Sequence, residues 1–337
     1  MSAPAGNIRL DTALMSIRDL TTCPVCNAGN CQQRYWLFDD RYGYPDMFVL
    51  MQCPSCAHQF LQHNLQQEEI GSLYSNYYPR KHIQPEHVKA LPPAKNFTAW
   101  INGTHSRPCY RVPEKISLLD IGCGTGAALL YHRERGCEVV GTETDENIRP
   151  IAELYQLNVH FGPFQRDAFK TGCFDCITME QVIEHLVDPL KLLADCRELL
   201  KPGGRIILST PRPHGLGARM FGRRWVHWHV PYHLHFFSSK SMQLAAEKVG
   251  LVIEERHTVT PSDWLYYQLQ HLNVYPEKGK ASAFWIDSDE VTVRQKYLRK
   301  VINIMHSIKV IHLFTRLFDS LGLGDNQLFI LRRKPTP

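Results

Sequence analysis

Residues 118–126, LLDIGCGTG, decide the fold of this chain. The apolar run that ends at Ile121 leads directly into a turn with glycines at 122, 124 and 126, and a helical pattern begins at Ala127. Glycines let a backbone approach a ligand closely, and the N-terminus of the following helix adds a favourable dipole. The stretch therefore predicts a strand, a turn that binds an adenosine-containing cofactor, and a helix of an α/β fold.

The pattern outside this stretch predicts a parallel sheet. From Lys115 onward, short apolar runs alternate with amphipathic helical segments, which is typical of a βαβ series. The seven predicted strands are 116–121, 138–143, 159–161, 176–179, 205–210, 251–258 and 327–331. The predicted helices between them are 127–135, 147–156, 189–200 and 240–249. An insertion at about residues 260–325 keeps helical spacing. Membrane contact is an alternative because the flank is basic, but we expect the insertion to pack on its own domain or on a second copy, as a possible homodimer.

A carboxylate lies where a cofactor ribose would need one. Glu143 ends the second predicted strand, 17 residues after Gly126, and a carboxylate at that position can accept hydrogen bonds from both ribose hydroxyls. The glycine spacing is G-x-G-x-G, which differs from the G-x-G-x-x-G of dinucleotide-binding enzymes.

Two cysteine pairs near the N-terminus predict a structural zinc site. Cys23 and Cys26 form one C-x2-C pair, Cys53 and Cys56 form a second, and 26 residues separate the pairs. Four thiolates complete a tetrahedral zinc site and leave no position for water or substrate. Apolar runs at 35–38 and 47–50 predict the strands of a small ribbon. Cys31 and His58, which lie nearby, are expected to take no part.

Composition bounds the kind of protein. The chain has 337 residues, of which 44% are hydrophobic and 21% charged, and a net charge of +5, which excludes wholesale disorder and collagen-like structure. No apolar run reaches the ~20 residues of a membrane span and the first residues do not resemble a signal peptide, so we expect a cytoplasmic protein without a transmembrane segment. We divide it into a ribbon (1–60), a helical or linker segment (61–112, with a helix at 68–77) and an α/β domain (113–337).

Four stretches together resemble the class I S-adenosylmethionine-dependent methyltransferases: LLDIGCGTG at 118–126, VVGTE at 139–143, FDCITMEQVIEHLVDP at 174–189 and LLKPGGRIILSTP at 199–211. The preceding ribbon and the stretch GRRWVHWHVPYHLHFFS at 222–238 are similar to a zinc-ribbon-bearing bacterial subgroup, associated with glycan and natural-product pathways. The resemblance implies a seven-stranded Rossmann-like sheet and S-adenosylmethionine as cofactor. The implied cofactor-binding residues are Asp120, Gly122, Cys123, Gly124 and Gly126 for the methionine part, Glu143 for the ribose, and Met179, Glu180 and Gln181 beside the sulfonium. Gly162 to Gln165 stand where many relatives place an acidic residue that holds adenine.

Three residues are candidates for the chemistry. Glu184 and His185 follow the fourth strand, where the acceptor should lie, and His233 could join them. In some relatives E-x-x-E-H with a later histidine holds a divalent ion, although Gln181 replaces the first carboxylate here. The alternatives are a single histidine, His233 or His185, as general base, or a purely structural role. Because Pro231 interrupts the run, the histidines at 227, 229, 233 and 235 cannot all share one face of a strand.

The resemblance favours methyl transfer to an oxygen, or less directly to a carbon or nitrogen, of a small molecule or sugar. Residues of the ribbon such as Tyr35 and Trp36, with Tyr77 and Tyr78, could present aromatic rings to that acceptor. An RNA methyltransferase is a second hypothesis, but residues 23–60 hold two arginines against three aspartates, whereas a nucleic-acid platform should be basic. A third is a cofactor-binding subunit without catalysis.

Overall fold

The structure, a computed structural model, describes residues 22–62, 83–94, 96–286 and 291–334. The helix predicted at 68–77, and with it Tyr77 and Tyr78, lies outside the described residues. Within them the strands, in chain order, are β1 (Gln32–Phe38), β2 (Met47–Gln52), β3 (Gln59–Gln62), β4 (Ser117–Ile121), β5 (Glu138–Glu143), β6 (Val159–Phe161), β7 (Phe174–Glu180), β8 (Leu200–Pro211), β9 (His235–Phe236), β10 (Leu251–Thr258) and β11 (Asn326–Arg333). The α-helices are α1 (Phe97–Asn102), α2 (Ala127–Glu134), α3 (Arg149–Leu154), α4 (Pro189–Leu199), α5 (Leu216–Phe221), α6 (Ser239–Lys248), α7 (Ser262–Asn273), α8 (Val293–Ser307) and α9 (Val310–Ser320).

The central sheet has seven strands in the order β10-β11-β8-β7-β4-β5-β6. Strands β4 to β8 run parallel to one another, and β11 inserts antiparallel between β8 and β10. The prediction of a seven-stranded α/β sheet is confirmed, but the sheet is mixed and not wholly parallel, because β11 runs antiparallel to both of its neighbours. Because β4 and β5 lie on one side of the reversal in strand order and β7 on the other, a crevice opens at the carboxyl ends of β4 and β7, which is where open α/β sheets bind ligands.

The core explains why these segments are strands. Leu119, Ile177, Leu208 and Phe329 come from four neighbouring strands and are fully buried in one apolar cluster. Strands covered on both faces carry nearly continuous apolar runs, as β4 and β7 do. Strand β8 begins at Leu200 and not at the predicted residue 205, because the Lys-Pro-Gly-Gly stretch is part of the strand, with Leu200 paired to Phe174.

The ribbon is a separate antiparallel sheet, and a loop of the α/β domain completes it. Its strand order is β1-β2-β3-β9, with Gln59 opposite Phe236 and Phe60 opposite His235. Phe60 shares an apolar cluster with Phe237, which follows β9 directly. The ribbon is therefore bound to the α/β domain by backbone pairing as well as by apolar packing.

The insertion before the last strand is helical, formed by α7, α8 and α9. A capping box between Thr292 and Gln295 starts α8, and the axes of α8 and α9 are bent by 64° at the break between them. Among the described residues, no single helix is long and apolar enough to cross a membrane; α8 and α9 meet the length and composition criteria only as a bent pair.

Candidate functional site

The glycine-rich turn joins β4 to α2. Gly122, Gly124 and Gly126 all adopt positive φ angles, of 71°, 54° and 75°. The N–H groups of Gly122 and Cys123 donate to the carbonyl of Thr142 at 2.8 and 3.0 Å, which ties the turn to β5. A Cβ at Gly124 would have no atom within 4 Å, so this side of the turn is open. Gly126 is the N-cap of α2 and lies against Leu157.

We expect Gly122→Ala to lower the free energy of unfolding by about 2–3 kcal/mol. The left-handed backbone costs alanine roughly 1–2 kcal/mol, and the new methyl group would lie 2.6 Å from Cγ2 of Val182. Chemical denaturation of both proteins measures the difference. Gly203→Ala is the matched control, because Gly203 has a φ of 79° and no atom within 4 Å of its added Cβ. Equal losses in the two variants would contradict the predicted close contact.

The turn borders a cavity of about 210 Å³. Besides the turn, its walls come from the start of α2, the end of β7 and the segment at 107–109; the lining residues are Arg107, Pro108, Cys109, Asp120, Gly122, Cys123, Gly124, Thr125, Ala127, Ala128, Thr178 and Glu180. Asp120 is buried and its Oδ1 accepts a hydrogen bond of 2.6 Å from the Thr178 hydroxyl. Burial raises the pKa of Asp120 to about 7. The cavity therefore presents a carboxyl group at its floor that a bound cation would ionise.

Glu143 lies beside the same turn. One carboxylate oxygen, Oε2, accepts from the N–H of Gly124 at 2.9 Å, and Oε1 accepts from the N–H groups of Thr144 and Asp145 at 2.8 and 3.0 Å. Three backbone donors fix the carboxylate at the end of β5. The strand and the turn thus bring Glu143 and Gly124 together, as the spacing predicts.

Sequence reasoning missed Arg107, which lies in the segment interpreted as linker. Its guanidinium forms a two-pronged ion pair with Glu180, with Nε to Oε1 at 2.7 Å and Nη2 to Oε2 at 2.9 Å, and both side chains are partly exposed in the cavity. An arginine in a proline-rich stretch carries no local signal of function. Only the path of the chain from α1 to β4 brings it to the cavity.

The three residues predicted beside the sulfonium point in different directions. Glu180 lines the cavity, whereas the Met179 side chain is fully buried in the core below it. Gln181 has a φ of 55°, and its amide donates to Ser209 Oγ at 3.0 Å and Asn326 Oδ1 at 3.1 Å, toward β8 and β11. A strand alternates its side chains between two faces, which explains why neighbours in sequence separate here.

Glu184, His185 and His233 come together in space. Each offers one ligand-type atom, and the three atoms lie within 4.8 Å of one another. The backbone N–H of Leu234 donates to the carbonyl of Glu184 at 2.7 Å, which fastens the later loop to the turn after β7. Gln181 is turned away and is not part of this cluster, which we call the Glu-His-His cluster.

Both imidazoles of the Glu-His-His cluster are oriented by backbone carbonyls. His185 Nδ1 donates to the carbonyl of Tyr232 at 2.9 Å, and His233 Nδ1 donates to the carbonyl of His227 at 2.8 Å. Such bonds fix the tautomer in which Nε2 carries the lone pair. A backbone carbonyl that accepts from the other ring nitrogen is a usual partner of a metal-binding histidine. Burial and the neighbouring imidazole of His185 lower the pKa of His233 well below its ordinary value.

Glu184 is fully buried, and neither carboxylate oxygen makes a hydrogen bond of ordinary geometry to the described residues. Burial raises its pKa to about 8, against an opposing effect of the Thr210 hydroxyl. A buried carboxylate without partners is costly unless it is protonated or binds a cation. The donor set of one carboxylate and two neutral imidazoles fits a divalent transition-metal ion.

The other histidines of the run are not among the three residues that converge, although the His229 ring contacts that of His233 at 5.0 Å. His227 packs on Trp264 with ring centres 3.8 Å apart, and His235 Nδ1 lies 3.1 Å from His58 Nε2 in the ribbon. His229 stacks on Tyr232. The four histidines at 227, 229, 233 and 235 thus make different contacts, and only His235 of the four belongs to a strand, β9.

The four ribbon cysteines converge. Their Sγ atoms lie within 4.8 Å of one another, with Cys23 to Cys56 at 3.6 Å and Cys26 to Cys53 at 3.5 Å. A tetrahedral zinc ion with bonds of about 2.3 Å requires sulfur separations of about 3.8 Å. The sulfurs therefore fit a structural zinc ion with little adjustment.

The two cysteine pairs occupy turns of the same form. In each, the N–H of the first cysteine donates to the carbonyl five residues later, Cys23 to Ala28 and Cys53 to His58. Each of these matching turns presents two thiols, so the four cysteines predicted to bind zinc are brought together.

Comparison with known families agrees with the fold and the cavity. A family model described as a methyltransferase domain matches residues 96–256. Residues 96–256 form a class I methyltransferase domain. The methyltransferase domain thus includes β4 to β9 and most of β10, and Arg107 falls within the matched region. The prediction of a class I methyltransferase is confirmed.

Curated proteins and solved structures are similar to part of this chain. A ubiquinone biosynthesis O-methyltransferase of Cereibacter sphaeroides is 35% identical over 133 residues, which are 37% of this chain and 54% of that protein. One of Xanthomonas axonopodis pv. citri is 27% identical over 165 residues, 45% of this chain and 69% of that protein. An S-adenosylmethionine dependent methyltransferase structure from Mesorhizobium loti is 15% identical, covers 68% of this chain and 99% of its own, and has a TM-score of 0.42. The chain spans about half the length of the first of these curated relatives.

Proposed function

We propose that this protein transfers a methyl group from S-adenosylmethionine to a hydroxyl oxygen of a small-molecule acceptor. The observation that carries the proposal is the meeting of Gly124, Glu143 and Asp120 beside one cavity at the carboxyl ends of β4, β5 and β7. The methyltransferase domain and its O-methyltransferase relatives support the same reaction class.

The cavity offers a separate group for each polar part of the cofactor. Oε2 of Glu143, which accepts from one backbone N–H, can also accept from a ribose hydroxyl, and Asp120 lies near the space for the positively charged amino acid part. The Arg107 guanidinium, now paired with Glu180, can bind a carboxylate in the two-pronged way that suits it. S-adenosylmethionine supplies a methyl group that is already activated, so the protein needs only to align an acceptor oxygen and remove its proton.

We further propose that the Glu-His-His cluster holds a divalent cation beside the acceptor. The support is the partnerless buried Glu184 and the two imidazoles locked by carbonyls. A bound divalent ion supplies Lewis acidity, which lowers the pKa of a hydroxyl that it touches. The competing role is general base for His233 alone, and the low pKa of this buried imidazole makes it a weak base.

The acceptor is proposed to reach toward the ribbon. A second cavity, of about 180 Å³, lies between β1, β2 and the loop before β9, and Trp36, Phe38, Trp228 and Tyr275 line it. His229 is also in its wall, and the His229 ring lies 5.0 Å from that of His233. We therefore propose that the ribbon (1–60) serves as a wall of the acceptor site, next to the segment at 61–112 and the α/β domain (113–337).

Glu143→Gln is expected to weaken binding of S-adenosylhomocysteine roughly 10- to 100-fold, because a hydrogen bond to a charged acceptor is worth about 1.5–3 kcal/mol and the glutamine NH2 group cannot accept one. Isothermal titration calorimetry measures the dissociation constants. Glu138→Gln is the matched control, since Glu138 is at the other, exposed end of β5. If the wild type fails to bind S-adenosylhomocysteine, the proposed function is wrong; if Glu143→Gln binds like Glu138→Gln, the assignment of Glu143 is wrong.

A further inference from the structure

Helix α9 turns an uncharged apolar face to the solvent. Four large side chains on α9 and at its C-terminal end are between 48% and 62% exposed: Leu313, Phe314, Leu317 and Leu321. The two charged residues of the helix, Arg316 and Asp319, form an ion pair with Nη2 to Oδ2 at 2.7 Å, and Arg316 is buried on the inner side. Nothing charged on α9 itself therefore interrupts the outer face.

Neighbouring helices extend this surface. Ile304 and Ile308 at the end of α8 are exposed, and so are Phe97 and Trp100 of α1, whose rings lie 5.6 Å apart. Helix α1 is fastened to α9 because Arg316 Nη1 donates to the carbonyl of Trp100 at 3.3 Å. We call the following eight residues the apolar face: Phe97, Trp100, Ile304, Ile308, Leu313, Phe314, Leu317 and Leu321. Single exposed apolar residues are ordinary, but a group of this size marks a contact surface.

The charges around the apolar face are mostly positive; the exposed carboxylate of Asp263 is paired with His306 of α8 at 2.9 Å. The sequence has no Asp or Glu from 291 to 318, while Lys296 and Lys300 on α8 are exposed. Arg219 is exposed on α5, which is joined to the end of α9 by the hydrogen bond from Leu216 N–H to the carbonyl of Leu323 at 2.8 Å.

The apolar face could be covered by a second copy of this chain or by a lipid surface, and its charges distinguish between the two. In a two-fold dimer the same patch faces itself, so the basic residues of one copy would be brought near those of the other, which costs free energy. An anionic lipid surface satisfies both properties, since a helix with one apolar face and basic flanks lies in the interface of such a bilayer. We propose that the apolar face docks this protein on the surface of a bilayer that contains anionic lipid.

The docking would place the cofactor cavity close to the lipid surface. Arg107, which lines that cavity, follows α1 by only five residues, and α1 carries Phe97 and Trp100 of the apolar face. An acceptor held in the membrane could then reach the site without crossing water. The inference goes beyond the proposed methyl transfer, and binding to vesicles can be measured without an acceptor.

The test is flotation of the full-length, zinc-replete protein with phosphatidylcholine vesicles that contain 0 or about 30 mol% phosphatidylglycerol. We expect binding only with phosphatidylglycerol, weakened by salt, and at least about tenfold lower partitioning for the double variant Leu313→Ser/Leu317→Ser. Leu154→Ser is the matched control, because Leu154 on α3 is 52% exposed and Leu317 is 53% exposed. It should bind as the wild type does.

Two results would overturn the proposal. One is the absence of vesicle binding by the wild type at low salt, or binding that the double variant retains in full. The other is a concentration-dependent dimer in sedimentation velocity that the double variant abolishes, which would make the apolar face an interface between copies. Since both substituted leucines are exposed, thermal unfolding of the double variant should match the wild type, and binding measured on a folded protein keeps the result interpretable.

Discussion

The Cys53→Ser protein is expected to contain less than about a tenth of a zinc ion per chain and to unfold more than about 10 °C below the wild type. Serine leaves three thiolates and a weakly binding hydroxyl, which lowers zinc affinity by orders of magnitude. Structural zinc sites contribute on the order of 10 kcal/mol of apparent free energy, comparable with the total stability of a domain.

The effect should extend beyond the ribbon. Strand β3 follows the Cys53 turn and pairs with β9, which comes two residues after His233. Loss of the zinc ion should therefore loosen the loop that brings His233 to Glu184, while the glycine turn, which belongs to the central sheet, stays in place. Metal content by inductively coupled plasma mass spectrometry and unfolding by circular dichroism are the measurements.

Cys31→Ser provides the control in the same ribbon. Cys31 is buried near the four ligands, but its Sγ lies 3.9 Å from the carbonyl of Ala28 and the residue is not among the four that converge. Burial raises the pKa of its thiol to about 12, so it should remain a neutral thiol. A zinc-free Cys31→Ser, or a Cys53→Ser that keeps one zinc ion, would contradict the assigned ligands.

The features that the sequence predicts correctly are those encoded by residues close to one another in the chain. The strand, turn and helix at 116–135 are encoded by consecutive residues, and Glu143 follows in the next strand, so periodicity and spacing locate them. Strand β9 was not predicted, because it is two residues long and its partner β3 lies more than 170 residues earlier. No local pattern carries information about such a pairing.

The same limit applies to the candidate site. Arg107 reaches the cavity only through the path of the chain between α1 and β4, so its residue type in a proline-rich stretch gave no indication. For Met179 and Gln181 the sequence located the end of the strand but not the directions of the side chains. Those directions depend on the alternation of side chains at the end of β7 and on the positive φ of Gln181. The sequence therefore predicts the strands and the turn that form the site, but not which individual side chains line the cavity.

The second large effect concerns the Glu-His-His cluster. We expect the zinc-replete wild type to bind about one Mn²⁺ per chain, and Glu184→Gln or His233→Ala to weaken that binding at least about 100-fold. Glutamine has the shape of the protonated carboxyl but lacks the charge that a cation needs, and alanine removes a ligand that the carbonyl of His227 holds in position. Electron paramagnetic resonance of free Mn²⁺ gives the stoichiometry and the affinity.

Two controls separate this metal site from the cofactor cavity and from the general-base role. His160→Ala removes an exposed imidazole on β6 and should bind Mn²⁺ as the wild type does. Both cluster variants should still bind S-adenosylhomocysteine, because Gly124, Glu143 and Arg107 do not depend on the cluster. If the zinc-replete wild type binds no Mn²⁺, the proposed cation in the Glu-His-His cluster is excluded. The alternative hypothesis, in which His233 acts as a general base, then replaces it. In that case the buried Glu184 must stay protonated at neutral pH, because its own backbone N–H and the Thr210 hydroxyl offset only part of the cost of burial.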